Sequence, residues 1–387
     1  MSNAVVLGLQ YGDEGKGRVV DNLSDKYECV ARFQGGANAG HTVKIEQKEY
    51  ILNLIPTGIL RGKLSVLGQG MVLNPLSLLK EIQRLKDKGV EITSKNLAID
   101  PRISVTTDYH LEADGKDEKI GTTKRGIGPT YEDKYARRGL MLKDFISNQE
   151  ESKKRIVQNL KLYNSSINPE KIFEELSESI EKLRQYIQDT KQLIRKNKTL
   201  FEGAQGFGIG INTGTYPFVT ASDTTIAGVF ESFGYVEIPR RIGVMKAYTT
   251  RVGNGPFETE LNNEIGNLLR EKGKEYGATT GRPRRCGWLN LKEVHEAVLH
   301  NRITEIALTK LDILSGLNEI NLILANGSHK KIAPWPSLSN QLPKEALDYI
   351  SLIEKELGVP ITMISTGPER SKMIYRKSQN PSGFLVL

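Results

Sequence analysis

A short apolar strand that opens straight into a glycine-rich, lysine-bearing turn limits this fold more than any other feature of the chain. Val5-Val6-Leu7-Gly8 leads into Gly12-Asp13-Glu14-Gly15-Lys16-Gly17. Glycines there let backbone N–H groups approach an anion without a Cβ in the way, and a helix starting at the turn adds its positive end. Lys16 can reach a terminal phosphate as a point charge. The spacing is not that of a Walker A loop, which needs four residues between its glycines and Ser or Thr after the Lys; here Gly17 follows. Asp13 and Glu14 place two carboxylates inside a loop suited to anions. That pairing fits Mg²⁺ binding or a general base. A tight turn with two solvated acids is the plainer alternative, and the adjoining Gly-Lys-Gly weighs against it.

The same grammar recurs. Cys29–Phe33, Tyr50–Leu54, Leu97–Asp100, Thr199–Phe201, Ile242–Met245, Ile306–Leu308, Ile320–Leu324 and Ile361–Ile364 read as strands bounded by polar turns. Pro75–Asp87 has helical spacing. Residues 151–197 read as a charged helical insertion with a narrow apolar stripe of Phe173, Leu176, Ile180, Leu183 and Ile187. Alternation of this kind implies an α/β fold. Its large central, mostly parallel sheet would be flanked by helices in a P-loop-like nucleotide-binding architecture with insertions. Residues 1–387 are expected to form a single domain. Glycines collect after strand ends, where open α/β sheets keep their ligands.

Composition narrows the function classes. With 38% hydrophobic and 26% charged residues, the chain can build a full core. No run approaches the ~18 apolar residues of a membrane span, and the N-terminus lacks the pattern of a secretory signal. Only Cys29 and Cys286 occur, far apart, which excludes a disulfide scaffold and fits a reducing cytoplasm. The net charge of +8 admits small anions or nucleic acid.

Four further constellations could carry chemistry. Gln34-Gly35-Gly36-Ala37-Asn38-Ala39-Gly40-His41-Thr42 ends a glycine-rich loop in an imidazole, suited to proton transfer or to charge on a phosphoryl group. Gly121–Pro129 and Ala136–Gly139 mix hydroxyls, glycines and cations, as a phosphate monoester would need. Ala278–Arg285 sets three arginines beside two threonines, which suits carboxylates. It lacks the aromatic interleaving of a stacking platform, so no nucleic-acid partner is expected. Thr309-Lys310-Leu311-Asp312 has the form of the Lys-x-Asp guanine reader, in which a carboxylate accepts from guanine N1 and N2. Ser365-Thr366-Gly367-Pro368 could close the same pocket.

In this order, from Val5 to about Arg370, the segments resemble the adenylosuccinate synthetase family. Glu202–Gly206, Gly214–Pro217 and Thr250–Phe257 belong to the match. The resemblance implies ligation of IMP to L-aspartate with GTP and Mg²⁺, in the cytoplasm, without a membrane partner. It implies Asp13 as the base that takes the N1 proton, His41 as its acid partner, Lys16 on the γ-phosphate and Gln205 as a further catalytic contact. Gly12, Asp13, Glu14, Gly15, Lys16, Gly17, Gly40, His41 and Thr42 would line the triphosphate, with Mg²⁺ on Asp13 and the Gly40 carbonyl. Arg284, Lys310, Leu311, Asp312, Ser365, Thr366 and Gly367 would hold the base and ribose of GTP. Asn38, Ala39, Thr122, Thr123, Arg125, Gln205 and Thr220 would meet IMP, and Thr279, Thr280 and Arg282 the aspartate or IMP. Arg137 would cross a homodimer interface to the neighbour's nucleotide.

The chain also departs from the family. Arg18 stands for the usual lysine after the phosphate loop, and Pro283 for an arginine. The run Phe207–Thr213 differs from the common pattern, and the region between Leu322 and Pro343 is trimmed. The altered run lies against the purine in the family, so a variant acting on (d)GMP, with GTP or ATP, is the alternative. Asp13 favours IMP, because related (d)GMP enzymes carry a small residue there. A GTP-binding regulator or RNA binder would require neither Asp13, His41 nor the arginine loop.

Overall fold

The computed structural model describes residues 2–45, 48–116, 119–277, 281–338, 342–367 and 369–376. Among these, nine strands form one sheet. In chain order they are β1 (Ala4–Gly8), β2 (Cys29–Arg32), β3 (Leu64–Leu67), β4 (Leu97–Ile99), β5 (Thr199–Glu202), β6 (Arg240–Lys246), β7 (Glu305–Thr309), β8 (Ile361–Ser365) and β9 (Met373–Tyr375). They lie side by side as β9-β8-β7-β6-β1-β5-β2-β3-β4. Every neighbouring pair is parallel except β8 with β9 at the edge.

The centre of such a sheet is covered on both faces, so its strands must be apolar throughout. β1 is buried along its whole length. Val5 and Leu7 enter one apolar core, and Ala4 and Val6 enter the core on the opposite face. From β1 the chain builds outward on one side as β2, β3 and β4. After β5 has returned beside β1, it builds the other side from β6 onward. The order therefore reverses at β1, and a crevice opens at the carboxyl ends of the strands there.

Two strands expected from the sequence lie elsewhere. Residues around Tyr50–Leu54 form Lys48–Leu52, which pairs antiparallel with His41–Ile45 in a hairpin, His41 opposite Leu52. Ile320–Ile323 joins Leu289–Asn290 and His329–Ile332 in a separate small sheet. Leu64–Leu67 and Met373–Tyr375, short and without a strong strand pattern, complete the main sheet. The helix at Pro75–Asp87 starts at Asn74, whose side chain accepts from the Ser77 N–H at 2.9 Å. The charged insertion forms helices Gln149–Leu162, Pro169–Leu183 and Thr190–Lys196. Its stripe residues Phe173, Leu176, Ile180 and Leu183 bury in a core shared with helix Pro75–Asp87, while Ile187 packs at the rim. No helix among the described residues is long and apolar enough to cross a membrane.

Glu81, on helix Pro75–Asp87, fixes where the His41 hairpin ends. Its buried carboxylate accepts from the N–H groups of Asn53 at 2.8 Å, Leu54 at 2.9 Å and Ile55 at 3.2 Å. Removing it strands three N–H donors, those of Leu54 and Ile55 buried and that of Asn53 half-buried. Glu81→Ala should lower the unfolding free energy by ~3 kcal/mol or more in urea denaturation, and Glu81→Gln, which keeps one acceptor oxygen, by less.

Candidate active site

The phosphate loop leaves β1 with Gly12, Asp13 and Gly15 all left-handed, at φ 90°, 59° and 93°. Glycine takes that conformation freely and Asp tolerates it. Helix α1 (Lys16–Leu23) starts at Gly15 with no side-chain cap, so its first N–H groups have no side chain to serve them. The two loop carboxylates part company. Glu14 is fully buried: Oε1 accepts from Gln10 N at 3.2 Å and Gly12 N at 2.9 Å, and Oε2 lies 2.5 Å from Lys16 Nζ. A Cβ on Gly8 or Gly206 would sit 2.5 Å from that carboxylate. The Glu14 carboxylate is therefore turned inward, shaping the loop and pairing with Lys16. Asp13 is the open one, 36% exposed.

His41 lies against this loop. A Cβ on Gly17 would come within 2.9 Å of His41 Cβ, which explains a glycine there. His41 Nδ1 is 2.7 Å from Glu202 Oε1 at the end of β5. Glu202 also accepts from Thr57 N at 2.8 Å and Thr57 Oγ1 at 3.0 Å. Burial would raise its carboxyl pKa, but the His41 hydrogen bond and charge, Arg32 and the Thr57 N–H outweigh it, leaving the carboxyl below its ordinary range. Nδ1 thus carries the proton and Nε2 is left for other chemistry. Arg32, buried at the end of β2, donates to the Asn53 and Gly36 carbonyls and faces Glu202 and Glu81. Sequence reasoning assigned no role to Glu202 or Arg32. The quoted motif at 202–206 was the only pointer, because the partners lie 161 residues apart or across strands.

The loops expected to meet substrate converge beside these groups. Asn38 Nδ2 is 3.5 Å from Thr220 Oγ1, and Gln34 donates to the Ala204 carbonyl at 2.7 Å. Gln205, left-handed at φ 57°, keeps a buried Oε1 without a hydrogen-bond partner. The Ala39 carbonyl accepts from Asn53 Nδ2 at 2.9 Å, next to half-buried Gly40 and exposed Thr42. Arg282 donates to the Gly121 carbonyl at 3.3 Å, so the loop holding Thr122, Thr123 and Arg125 touches the arginine loop. Arg137 stands exposed at φ 63° after helix Ile127–Tyr135. Thr279, Thr280 and Pro368 lie outside the described residues.

At the other end, Thr309 Oγ1 donates to the Glu14 carbonyl at 2.6 Å, which welds the Lys310–Asp312 turn to the phosphate loop. Asp312 is half-buried and its carboxyl is pushed up by burial. Leu311 is wholly buried, so it offers a ligand only backbone. Arg18 straps the far wall: Nη1 donates to Ser365 Oγ at 2.6 Å and to the Gly367 carbonyl. Thr366 N bonds the Lys372 carbonyl at 3.0 Å. Arg284 lies between two acids, Nε 2.7 Å from Asp13 Oδ2 and Nη1 2.6 Å from Glu275 Oε2. The Asp13 contact is ionic, since Nε–H does not aim at an acceptor.

Among the described residues no group of three or more His, Cys, Asp or Glu could hold a metal alone. Mg²⁺ needs no such group. It keeps waters and substrate phosphates around one or two hard protein oxygens, and the Asp13 carboxylate, 36% exposed beside Arg284, is an oxygen donor of that kind.

Glu202 generates a pH prediction. Its folded pKa lies below the unfolded value, so its stabilisation is present above about pH 4.5 and is lost as pH falls through the folded value. Thermal unfolding between pH 6 and 3 should show Glu202→Gln losing less of its melting temperature on acidification than the unaltered chain.

A family model of adenylosuccinate synthetase matches residues 5–339 and 330–374. The two pieces meet inside the stretch read as trimmed. The adenylosuccinate synthetase of Lawsonia intracellularis is 41% identical over 427 aligned positions, covering 97% of this chain and all of the relative. That of Caldanaerobacter subterraneus is 43% identical, covering 98% and 100%. The structure of fully ligated adenylosuccinate synthetase from Plasmodium falciparum matches with a TM-score of 0.91 at 38% identity, covering 97% of this chain and 100% of that one. The cyanophage S-2L succinoaminodeoxyadenylate synthetase, solved with dGMP and with dATP as energy donor, shares the fold at a TM-score of 0.71. Its identity is 20%, over 98% of this chain and 96% of that one. The chain belongs to the adenylosuccinate synthetase family, ligases that join IMP to L-aspartate.

Proposed function

We propose that this cleft ligates IMP to L-aspartate at the expense of GTP, with Asp13 starting the reaction. A hypoxanthine 6-oxygen is a poor leaving group, and phosphorylation makes it a good one. The Asp13 carboxylate takes the N1 proton. The lactam oxygen, now nucleophilic, bonds to the γ-phosphorus of GTP as the bond to the β-phosphate oxygen breaks. His41, with Nδ1 tied to Glu202, steadies charge on the moving phosphoryl group through Nε2. Lys16 neutralises the γ-phosphate by exchanging Glu14 for a phosphate oxygen. The amine of aspartate then attacks C6, and inorganic phosphate leaves with the original oxygen. Asp13 and the Gly40 carbonyl would hold Mg²⁺, which would offset phosphate charge.

The remaining roles follow the same reading. Asn38, Thr123, Thr220 and Gln205 would grip IMP, whose purine would supply a partner for the buried Gln205 Oε1. Arg282 would take an aspartate carboxylate, and Asp312 would read guanine. Arg137, exposed and left-handed, would reach a neighbouring copy's nucleotide in a homodimer.

One observation carries the mechanism: of the two loop carboxylates, Glu14 is consumed inside the fold, while Asp13, though paired with Arg284, keeps 36% of its side chain exposed. The stronger identity to adenylosuccinate synthetases than to the phage enzyme favours IMP over (d)GMP. The test supplies IMP, GMP or dGMP with aspartate and either GTP or ATP. Fastest product formation from IMP with GTP is expected, and faster turnover of dGMP would reject the reading. Asp13→Ala should fold normally and lose turnover by ~10²–10⁴-fold, the ordinary contribution of a positioned acid–base group.

A further inference from the structure

Behind the guanine reader lies a carboxylate that the mechanism above does not use. Glu275 is completely buried. Its Oε1 accepts from Tyr248 Oη at 2.5 Å, Lys310 Nζ at 2.8 Å and Lys246 Nζ at 3.0 Å. Its Oε2 accepts from Arg284 Nη1 at 2.6 Å and Lys246 Nζ at 3.0 Å. Main-chain bonds fix the same spot: Glu275 N donates to the Arg270 carbonyl at 2.9 Å, and Arg284 N to the Glu275 carbonyl at 2.8 Å. Burial would raise the Glu275 pKa, but three cations hold it well below the carboxylate range. Lys246 is pushed the other way, to about 8, because burial outweighs its share of that one negative charge.

Counting charges shows what Glu275 does. One carboxylate faces Lys246, Lys310 and Arg284, and Asp13 answers Arg284 from the cleft side. The cluster keeps a positive excess, as a nucleotide site requires. Two of its cations are the residues read above as GTP contacts. Without Glu275 these cations would repel each other at close range, Lys310 would lose its ionic partner, and Arg284 would have only Asp13 to pair with.

We propose that Glu275 is a positioning residue for the nucleotide, holding Lys310 and Arg284 in place for GTP. The inference rests on the reading of Lys310, Arg284 and Asp312 as the GTP site. Glu275 touches no substrate itself; it acts through the two cations.

The test is steady-state kinetics of Glu275→Gln and Glu275→Asp, varying GTP and IMP separately. KM for GTP should rise at least about tenfold in Glu275→Gln, and less in Glu275→Asp, which keeps the charge. KM for IMP should stay within about threefold. A merely structural role would move both constants together or neither, and either result overturns the proposal. Should Glu275→Gln fail to fold, Glu275→Asp carries the test with Tyr248→Phe. The latter removes one donor to Oε1 and should raise KM for GTP about two- to threefold. Asp312→Asn, assayed for GTP over ATP, separates the two levels. Unchanged selection there rejects the guanine reader. Lost selection with an unmoved GTP KM in the Glu275 variants rejects this proposal alone.

Discussion

A site built to receive phosphates concentrates cations and unpaired N–H groups, and in a buried crevice such charge cannot stand alone. Three interior carboxylates answer it here. Glu14 pairs with Lys16, Glu202 with His41 and Arg32, and Glu275 with Lys246, Lys310 and Arg284. Uncompensated buried charge costs far more than a poor contact, so the arrangement of these acids dictates the arrangement of everything around them. Lys16 is almost fully buried against Glu14. In the proposed reaction, delivering it to a γ-phosphate would exchange one anionic partner for another, which costs less than freeing a bare ammonium.

Topology makes this arrangement possible. Six adjacent parallel strands present their carboxyl ends to one crevice, and each contributes a strand-end residue or turn there. β1 carries the phosphate loop, β2 the Gln34 loop, β5 Glu202 and Gln205, β6 Lys246, β7 the Lys310–Asp312 turn and β8 the Ser365–Gly367 wall. Cross-links between turns then tie the glycine-rich loop after β1 to the Lys310–Asp312 turn and the Ser365–Gly367 wall. Thr309 bonds the Glu14 carbonyl, and Arg18 joins α1 to Ser365 and Gly367. The Arg18 strap uses both guanidinium arms, Nη1 on Ser365 and Gly367 and Nη2 on the Glu369 carbonyl; a lysine in its place would present one nitrogen only.

Much of this was legible in the chain. Glycine-rich turns after strands were visible because both signals are local: apolar runs for the buried strands, and glycines where the backbone must turn left-handed or pass close to a neighbour. The helix Pro75–Asp87 and the stripe at Phe173–Leu183 were visible for the same reason. What lay beyond reach depends on partners distant in sequence. The inward turn of the Glu14 carboxylate was out of reach because nothing local shows that Gly8 and Gly206 make room for it. Glu202 and Glu275 drew no role because a lone acid in a motif has no visible partner until strands 161 residues apart, or a helix end and a turn, are brought together. Tyr50–Leu54 read as a sheet strand, and not as one arm of a hairpin, because alternation reports a β conformation and not which strand it pairs with.

The fate of a single oxygen atom tests the chemistry most directly. With IMP labelled by oxygen-18 at position 6, aspartate and GTP, the released inorganic phosphate should carry one heavy oxygen for every adenylosuccinate formed. Phosphate free of label, with product still accumulating, would mean that the lactam oxygen is never phosphorylated, and that Asp13 does not play the part given to it.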